Sequence, residues 1–290
     1  MHLFFRLLAA LPLPLLSVMG ALAGWLVYLA SPTYRRHLRE NLALALGEAG
    51  TAQRPAAIAS AGRMALELPK IWLNPLEQSV AMMREVRGWE VVEAAQQAGK
   101  GIVFLTPHLG CFELTAQYYS SRAPITVLYR PPKYRVLQEM IEAGRARPQL
   151  HLAAADLSGV RNLMKALRKG EAVGLLPDQA PKVGEGKWLP FFGRQAYTMT
   201  LAARLTETGA AVVFAFGERL PGGAGYRLHL RGSQTPIEGD LLQRAAIINR
   251  EIEALIRQSP GQYLWGYNRY KRPKGAEAPP ETNAVESGAR

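Results

Sequence analysis

Residues 7–30 run for 24 positions without a charged side chain. A stretch of that length leaves three options: a membrane anchor, a cleaved leader, or a helix buried in a large core. As one helix it would reach about 36 Å at about 1.5 Å per residue, against a hydrocarbon layer of about 30 Å. Pro12 and Pro14 predict a kink, which membrane helices tolerate. Trp25 and Tyr28 lie near the end of the run, where aromatic rings favour lipid headgroups. The leader reading rests on Ala21-Leu22-Ala23 as a small-residue cleavage site and on Arg6 as a positive start. Against it, residues 25–30 carry the apolar run past that site. Arg35, Arg36 and Arg39 follow at once, a basic cluster of the kind retained on the cytoplasmic side. Residues 1–31 are therefore read as a retained anchor that crosses the bilayer or enters one leaflet.

The rest of the chain is long enough for one large domain. Lys plus Arg number 35 and Asp plus Glu 23, a formal net charge of +12. Such a surplus calls for an anionic partner: nucleic acid, anionic lipid, a phosphorylated substrate or an acidic protein. The single cysteine, Cys111, excludes an internal disulfide and suits a reducing compartment.

Beyond the anchor, residues 33–47 and 55–72 show helical apolar periodicity. Candidate strands follow at 101–106, 125–129, 172–176, 211–216 and 226–231, alternating with helical patterns. The helix predicted over 158–169 buries Val160, Leu163, Met164 and Leu167 on one face, with Ser158 as N-cap and Gly170 after its end. Asp240 is placed to cap a helix over 241–258. This alternation predicts an α/β fold, a mostly parallel mixed sheet flanked by helices, with the last strands antiparallel. The domain is expected to cover residues 32–272. Residues 273–290, rich in Pro, Ala, Glu and Gly without an apolar period, read as a disordered tail.

The stretch GIVFLTPHLGCFE, residues 101–113, carries the chemistry. A buried strand ends at Thr106-Pro107, His108 follows, and Glu113 comes five places later. Within one helix that spacing would set the two side chains about 140° apart. They can meet only if His108 lies in the turn and Glu113 in the first turn of the next helix. A carboxylate on one imidazole nitrogen fixes the tautomer and frees the other nitrogen to take a proton. With no serine in the arrangement, the nucleophile would be a hydroxyl on the substrate. A packed histidine at a strand end beside a solvated glutamate is the plain structural alternative. Cys111, activated by His108, is a second chemical one, although a lone cysteine is more often a small buried apolar residue.

At these residues the chain resembles the lysophospholipid acyltransferase superfamily, defined by His-x4-Asp or His-x4-Glu. The glutamate form with an N-terminal anchor looks like the late acyltransferases of lipid A biosynthesis. The segments VLYRPPKY (127–134), GLLPDQAPKVGEGKWLPFFGRQAYT (174–198) and QYLWGYNRYKRP (262–273) extend the likeness over residues 1–273. Cys111 and Phe112 stand where family members often carry a polar residue followed by tryptophan. The resemblance implies a glycerolipid-acyltransferase-like fold and transfer of a lauroyl- or myristoyl-class chain from acyl carrier protein to a hydroxyl of a Kdo-bearing lipid A precursor. It implies catalysis by His108 as general base with Glu113 as its partner. It also implies a bacterial inner-membrane location with the domain on the cytoplasmic side, acyl carrier protein and the lipid A precursor as partners, and no cofactor or metal.

Further residues are candidates for binding substrate. Arg130 follows a strand and could hold a phosphate or the tetrahedral oxyanion. Asp178 and Gln179 follow another strand, and Asp178 could orient a substrate group or Arg130. Lys182, Lys187 and Arg194 lie on a glycine-rich stretch, expected to be a flexible loop, that suits an anionic headgroup. Phe191, Phe192, Tyr197 and Met199 could line an acyl slot. Arg161, Lys165, Arg168 and Lys169 could dock an acidic carrier. His2, His37, His151 and His229 show no metal-ligand spacing, and no Gly-x-Ser-x-Gly elbow is present. Three rival functions remain: acyl transfer to another glycolipid or an aminolipid, non-catalytic binding of anionic lipid, and nucleic-acid binding. The apolar segment and the scatter of charge along the chain oppose the last.

Overall fold

The computed structural model describes residues 2–131 and 135–280. Four helices open the chain: α1 (His2–Ala10), α2 (Leu13–Ala30), α3 (Pro32–Leu46) and α4 (Ala49–Leu73). The uncharged run is thus broken rather than continuous. Pro12 lacks an N–H and starts a new helix instead of continuing the old one. The unbroken apolar helix has 18 residues, about 27 Å at about 1.5 Å per residue. Ser31 caps α3 by accepting the Tyr34 N–H at 3.3 Å.

After α5 (Leu76–Ala81), the strands are β1 (Met83–Arg87), β2 (Ile102–Leu105), β3 (Ile125–Tyr129), β4 (Leu150–Ala154), β5 (Ala172–Leu175), β6 (Gly186–Phe191), β7 (Arg194–Met199), β8 (Ala211–Arg219) and β9 (Tyr226–Arg231). Between them lie α6 (Trp89–Ala98), α7 (Phe112–Ser120), α8 (Arg135–Arg145), α9 (Leu157–Arg168) and α10 (Leu201–Thr206), and α11 (Leu241–Gln258) closes the set. Seven strands form one sheet in the order β1-β9-β8-β2-β5-β3-β4. From β8 to β4 every pairing is parallel, and β9 runs antiparallel to β8. The mixed, mostly parallel sheet therefore matches the sequence reading.

Both faces of the sheet are covered, and the period-2 alternation of a strand divides its residues between them. Val103, Leu105, Val173, Leu175, Phe214 and Phe216 face a core built with α3, α9, α10 and α11. Ile102, Phe104, Ala172, Val213 and Ala215 face α6 and α7. Fully burying one such side chain contributes about 1.5–3 kcal/mol.

The glycine-rich stretch expected as a flexible loop is an ordered hairpin, β6 paired antiparallel to β7. Phe192 and Gly193 turn it with φ of 47° and 74°, the left-handed pair that suits a tight hairpin. Residues 274–280 carry no helix or strand, yet Ala276 is buried and the Trp188 indole donates to the Glu277 carbonyl at 3.0 Å. The remainder of the expected tail, residues 281–290, lies outside the described residues.

Candidate active site

Parallel strands β2 and β5 are neighbours, with Leu105 level with Leu175. His108 and Asp178 each stand three residues beyond that level pair, at the carboxyl ends where open α/β sheets gather ligands. Their side chains meet there. Asp178 Oδ1 lies 2.8 Å from His108 Nδ1, and Oδ2 accepts the backbone N–H of the same histidine at 2.9 Å. The Asp178 side chain is 1% exposed and that of His108 17%. Burial pushes the Asp178 carboxyl up, but the neighbouring imidazole and these hydrogen bonds outweigh it and hold the group below its usual range.

The turn carrying His108 is fastened at several points. Gly110 has φ 59°, and a Cβ there would stand 2.0 Å from the Gly217 carbonyl. The N–H groups of Gly110 and Cys111 donate to Gln262 and Gly217 at 3.0 and 2.7 Å, and Leu264 N–H donates to the His108 carbonyl at 3.1 Å. The imidazole rests against Phe112, centroids 4.9 Å apart. Its Nε2 lies 3.1 Å from the side-chain nitrogen of Gln179. That pattern fits a neutral ring with the proton on Nδ1, held by Asp178, and the lone pair on Nε2, accepting from Gln179.

The carboxylate gripping the histidine is thus Asp178 and not Glu113, a correction to the spacing argument. Glu113 sits in the first turn of α7 as expected, but that turn aims it towards α4 and α8. Trp72 Nε1 donates to its Oε2 at 2.9 Å, Arg145 Nε donates to the same oxygen at 2.9 Å, and Arg145 Nη2 bonds Oε1. Burial alone would raise the Glu113 carboxyl; the Arg145 guanidinium and the Trp72 N–H overcome it and keep the group ionised, with His108 near enough to add to the effect. Trp72 and Arg145 were not singled out in the sequence, because neither sits in a recognisable spacing with His108.

His108, Glu113, Arg130, Arg145 and Gln179 all line one cleft of about 320 Å³. Its walls are otherwise largely apolar, including Phe112, Val127, Ile141, Leu176 and Met199. Arg130 is exposed at the carboxyl end of β3, so it stands where the sequence put it, at the rim. Asp178 is committed to His108 rather than to Arg130. Lys182, Lys187 and Arg194 are exposed, and the described lining of the cleft includes none of them. Lys182 belongs to a turn closed by Glu185, Lys187 lies on β6, and the Arg194 guanidinium sits 5.1 Å from the Tyr270 ring. Of the four residues considered for an acyl slot, Met199 reaches the cleft, while Phe191, Phe192 and Tyr197 are buried elsewhere in the packing.

Cys111 packs into a cluster with Ile71, Trp72, Met82, Leu114 and Tyr226. It is 3% exposed, and burial pushes its thiol up to about 12, so it is a packing residue.

A histidine locked from behind by a buried carboxylate thus stands at a largely apolar cleft with Arg130 at its rim. The chain matches the family of bacterial lipid A biosynthesis acyltransferases over residues 1–272, and it belongs to that family. It is 29% identical over 275 residues to the lipid A biosynthesis palmitoleoyltransferase of Escherichia coli K12, covering 91% of this chain and 88% of the relative. To the lauroyltransferase of the same organism it is 28% identical, covering 93% and 90%. To the myristoyltransferase it is 24% identical, covering 92% and 83%. The chain is therefore an acyltransferase of lipid A biosynthesis, and its substrate is a lipid A precursor.

Proposed function

We propose that the chain moves a lauroyl- or myristoyl-class acyl group from acyl carrier protein to a hydroxyl of a Kdo-bearing lipid A precursor. The reaction takes place on the cytoplasmic side of the bacterial inner membrane. Residues 1–31 serve as membrane anchor and residues 32–272 as the catalytic domain. The observation that carries this reading is the His108–Asp178 pair, buried at its back, with Nε2 met by the Gln179 amide at the edge of a largely apolar cleft.

In the proposed reaction the acceptor hydroxyl displaces the Gln179 amide from His108 Nε2. Nε2 takes the hydroxyl proton as the oxygen attacks the thioester carbonyl, while Asp178 steadies the imidazolium through Nδ1–H. The tetrahedral oxyanion gains stabilisation from Arg130, whose guanidinium borders the cleft, and from the freed Gln179 amide. Collapse breaks the C–S bond, and the proton on Nε2 passes to the departing thiolate. Glu113, Arg145 and Trp72 hold the wall beside this centre. No step in this scheme draws on a cofactor or metal.

The exposed cations Arg161, Lys165 and Arg168 of α9, with Lys169 at its C-cap, are proposed to dock the acidic carrier. Ala155, just before that helix, lines the cleft, so a carrier bound there can deliver its thioester inward. The test is mass spectrometry of a Kdo-bearing precursor incubated with acyl carrier protein thioesters and the purified protein. Gain of one acyl chain, reduced about 10²–10⁴-fold in His108→Ala, is the expected result. Transfer only to a different glycolipid or to an aminolipid would overturn the acceptor assignment.

A further inference from the structure

His108 and Gln179 reach the cleft on two different turns, one after β2 and one after β5. The paired register of these strands ends at Leu105 and Leu175, so the turns beyond it need other fastenings. Both turns meet one later segment of the chain. After α11, residues 263–272 hold neither helix nor strand. Gln262, just before them, accepts the Gly110 N–H at 3.0 Å, Tyr263 bridges Leu109, and Leu264 donates to the His108 carbonyl at 3.1 Å.

Further along the same segment, the Tyr267 hydroxyl accepts the Ala180 N–H at 3.1 Å. That N–H shares its planar peptide with the Gln179 carbonyl. Fixing it fixes one of the two backbone torsions of Gln179, the residue whose amide lies 3.1 Å from His108 Nε2. One strap thus holds the histidine turn by main-chain bonds and the glutamine turn by a phenol oxygen.

The strap is itself anchored. An irregular segment has no ladder to satisfy its main chain, so its buried carbonyls need side-chain donors. Asn41 of α3, a buried residue, supplies them: its Nδ2 donates to the carbonyls of Trp265 and Tyr267 at 2.7 and 2.9 Å. Both N–H groups of that amide are thereby used. Gly266, between the two carbonyls, lets the segment close on α3, because a Cβ there would stand 1.9 Å from Tyr34 Cε2. Beyond Tyr267, Arg269 donates to the Tyr197 carbonyl and to Thr198 Oγ1, each at 2.8 Å, and fastens the strap to β7.

From this arrangement we infer that Tyr267 is a positioning residue for acyl transfer: its hydroxyl, seated by Asn41, sets the Gln179 amide at the imidazole. The inference rests on the proposed reaction, in which that amide caps Nε2 and then meets the oxyanion. The described lining of the cleft includes neither Tyr267 nor Asn41, so their influence on the chemistry passes through Gln179.

The test compares Tyr267→Phe, Asn41→Ala, Gln179→Ala and the double variant Tyr267→Phe/Gln179→Ala in the full chain. Tyr267→Phe keeps the ring and removes only the oxygen. Acyl-transfer kinetics and melting temperature are measured beside hydrogen–deuterium exchange over residues 176–181. Tyr267→Phe should lose about tenfold or more in kcat, with KM for both substrates within about threefold of native. Added to Gln179→Ala, it should cost no more than about a further twofold, since the group it positions is already gone. Exchange over 176–181 should quicken in Tyr267→Phe and also in Asn41→Ala, although Asn41 bonds to neither turn. Native kcat in Tyr267→Phe with only a lower melting temperature would overturn the inference, as would losses that multiply in the double variant. If the native protein transfers no acyl group to any acceptor, the proposed reaction falls by itself. The exchange data still decide the positioning claim, and native exchange over 176–181 in both Tyr267→Phe and Asn41→Ala would overturn it.

Discussion

His108 and Asp178 are joined twice: Nδ1 to Oδ1 at 2.8 Å, and the backbone N–H to Oδ2 at 2.9 Å. The second bond ties the carboxylate to the main chain of the residue it orients, so ring and carboxylate cannot drift independently. In the proposed mechanism this is the economy of a catalytic triad with the third member left to the acceptor alcohol.

Gln179 lies 3.1 Å from His108 Nε2, the position the acceptor alcohol takes in the proposed mechanism. Gln179→Ala should leave the ring free but remove a donor to the oxyanion, at a cost of about 10²–10³-fold in kcat. Gln179→Glu should be worse. A carboxylate at that distance favours the protonated ring, so the acid limb of the pH–rate profile should move to higher pH. Profiles of the two variants with one acceptor distinguish these effects.

Glu113 and Arg145 form a buried ion pair reinforced by Trp72, and their disruption should appear first in stability. Removing one partner leaves the other charge uncompensated, at a cost of about 3–5 kcal/mol. Glu113→Gln should therefore melt several degrees lower by scanning calorimetry and lose activity in step with its fold.

Acidification tests the same carboxylates. Glu113 and Asp178 are both held below their ordinary values of 4.5 and 3.8. Their contribution to stability is fully present above those values and disappears as pH falls through the lower folded ones. The melting temperature of the native protein should fall steeply below about pH 4.5. Glu113→Gln should show a flatter decline over that window.

Cys111 offers a negative control. Its thiol is pushed up to about 12 and packed behind the site, so iodoacetamide at pH 8 should leave the folded enzyme's activity intact. Cys111→Ala should retain transfer within a few-fold, at a cavity cost of about 1–2 kcal/mol in stability.

Much of this architecture could be read in the chain, and what escaped has a common cause. The strands at 125–129 and 226–231 and the helix at 241–258 announce themselves by local periodicity and caps, and they stand where expected. His108 was placed at a strand tip by Pro107 and Gly110 alone. The identity of its carboxylate was not legible, because the pairing depends on β5 lying beside β2, and strand order is a non-local property. Asp178 was visible as a residue after a strand, and no local signal said which strand it would face. Nearness in sequence favoured Glu113, but the first turn of α7 gives that side chain a different direction. The hairpin of β6 and β7 was hidden for another reason: glycines at 184, 186 and 193 suggested a loop, whereas Gly193 serves the turn and Gly186 lies in a strand against Pro181 and Tyr197. Lys187 and Arg194 went to the outside with it.

The most direct measurement is the acyl-transfer rate of Asp178→Asn at saturating donor and acceptor, taken beside its melting temperature. Asparagine keeps the size of the side chain and can still accept the backbone N–H, but it no longer holds a proton on Nδ1 or balances the imidazolium. The expected result is a folded protein whose kcat falls by about 10³–10⁴ with KM little changed. A folded Asp178→Asn enzyme turning over within tenfold of the native rate would contradict the claim that this carboxylate orients the catalytic histidine.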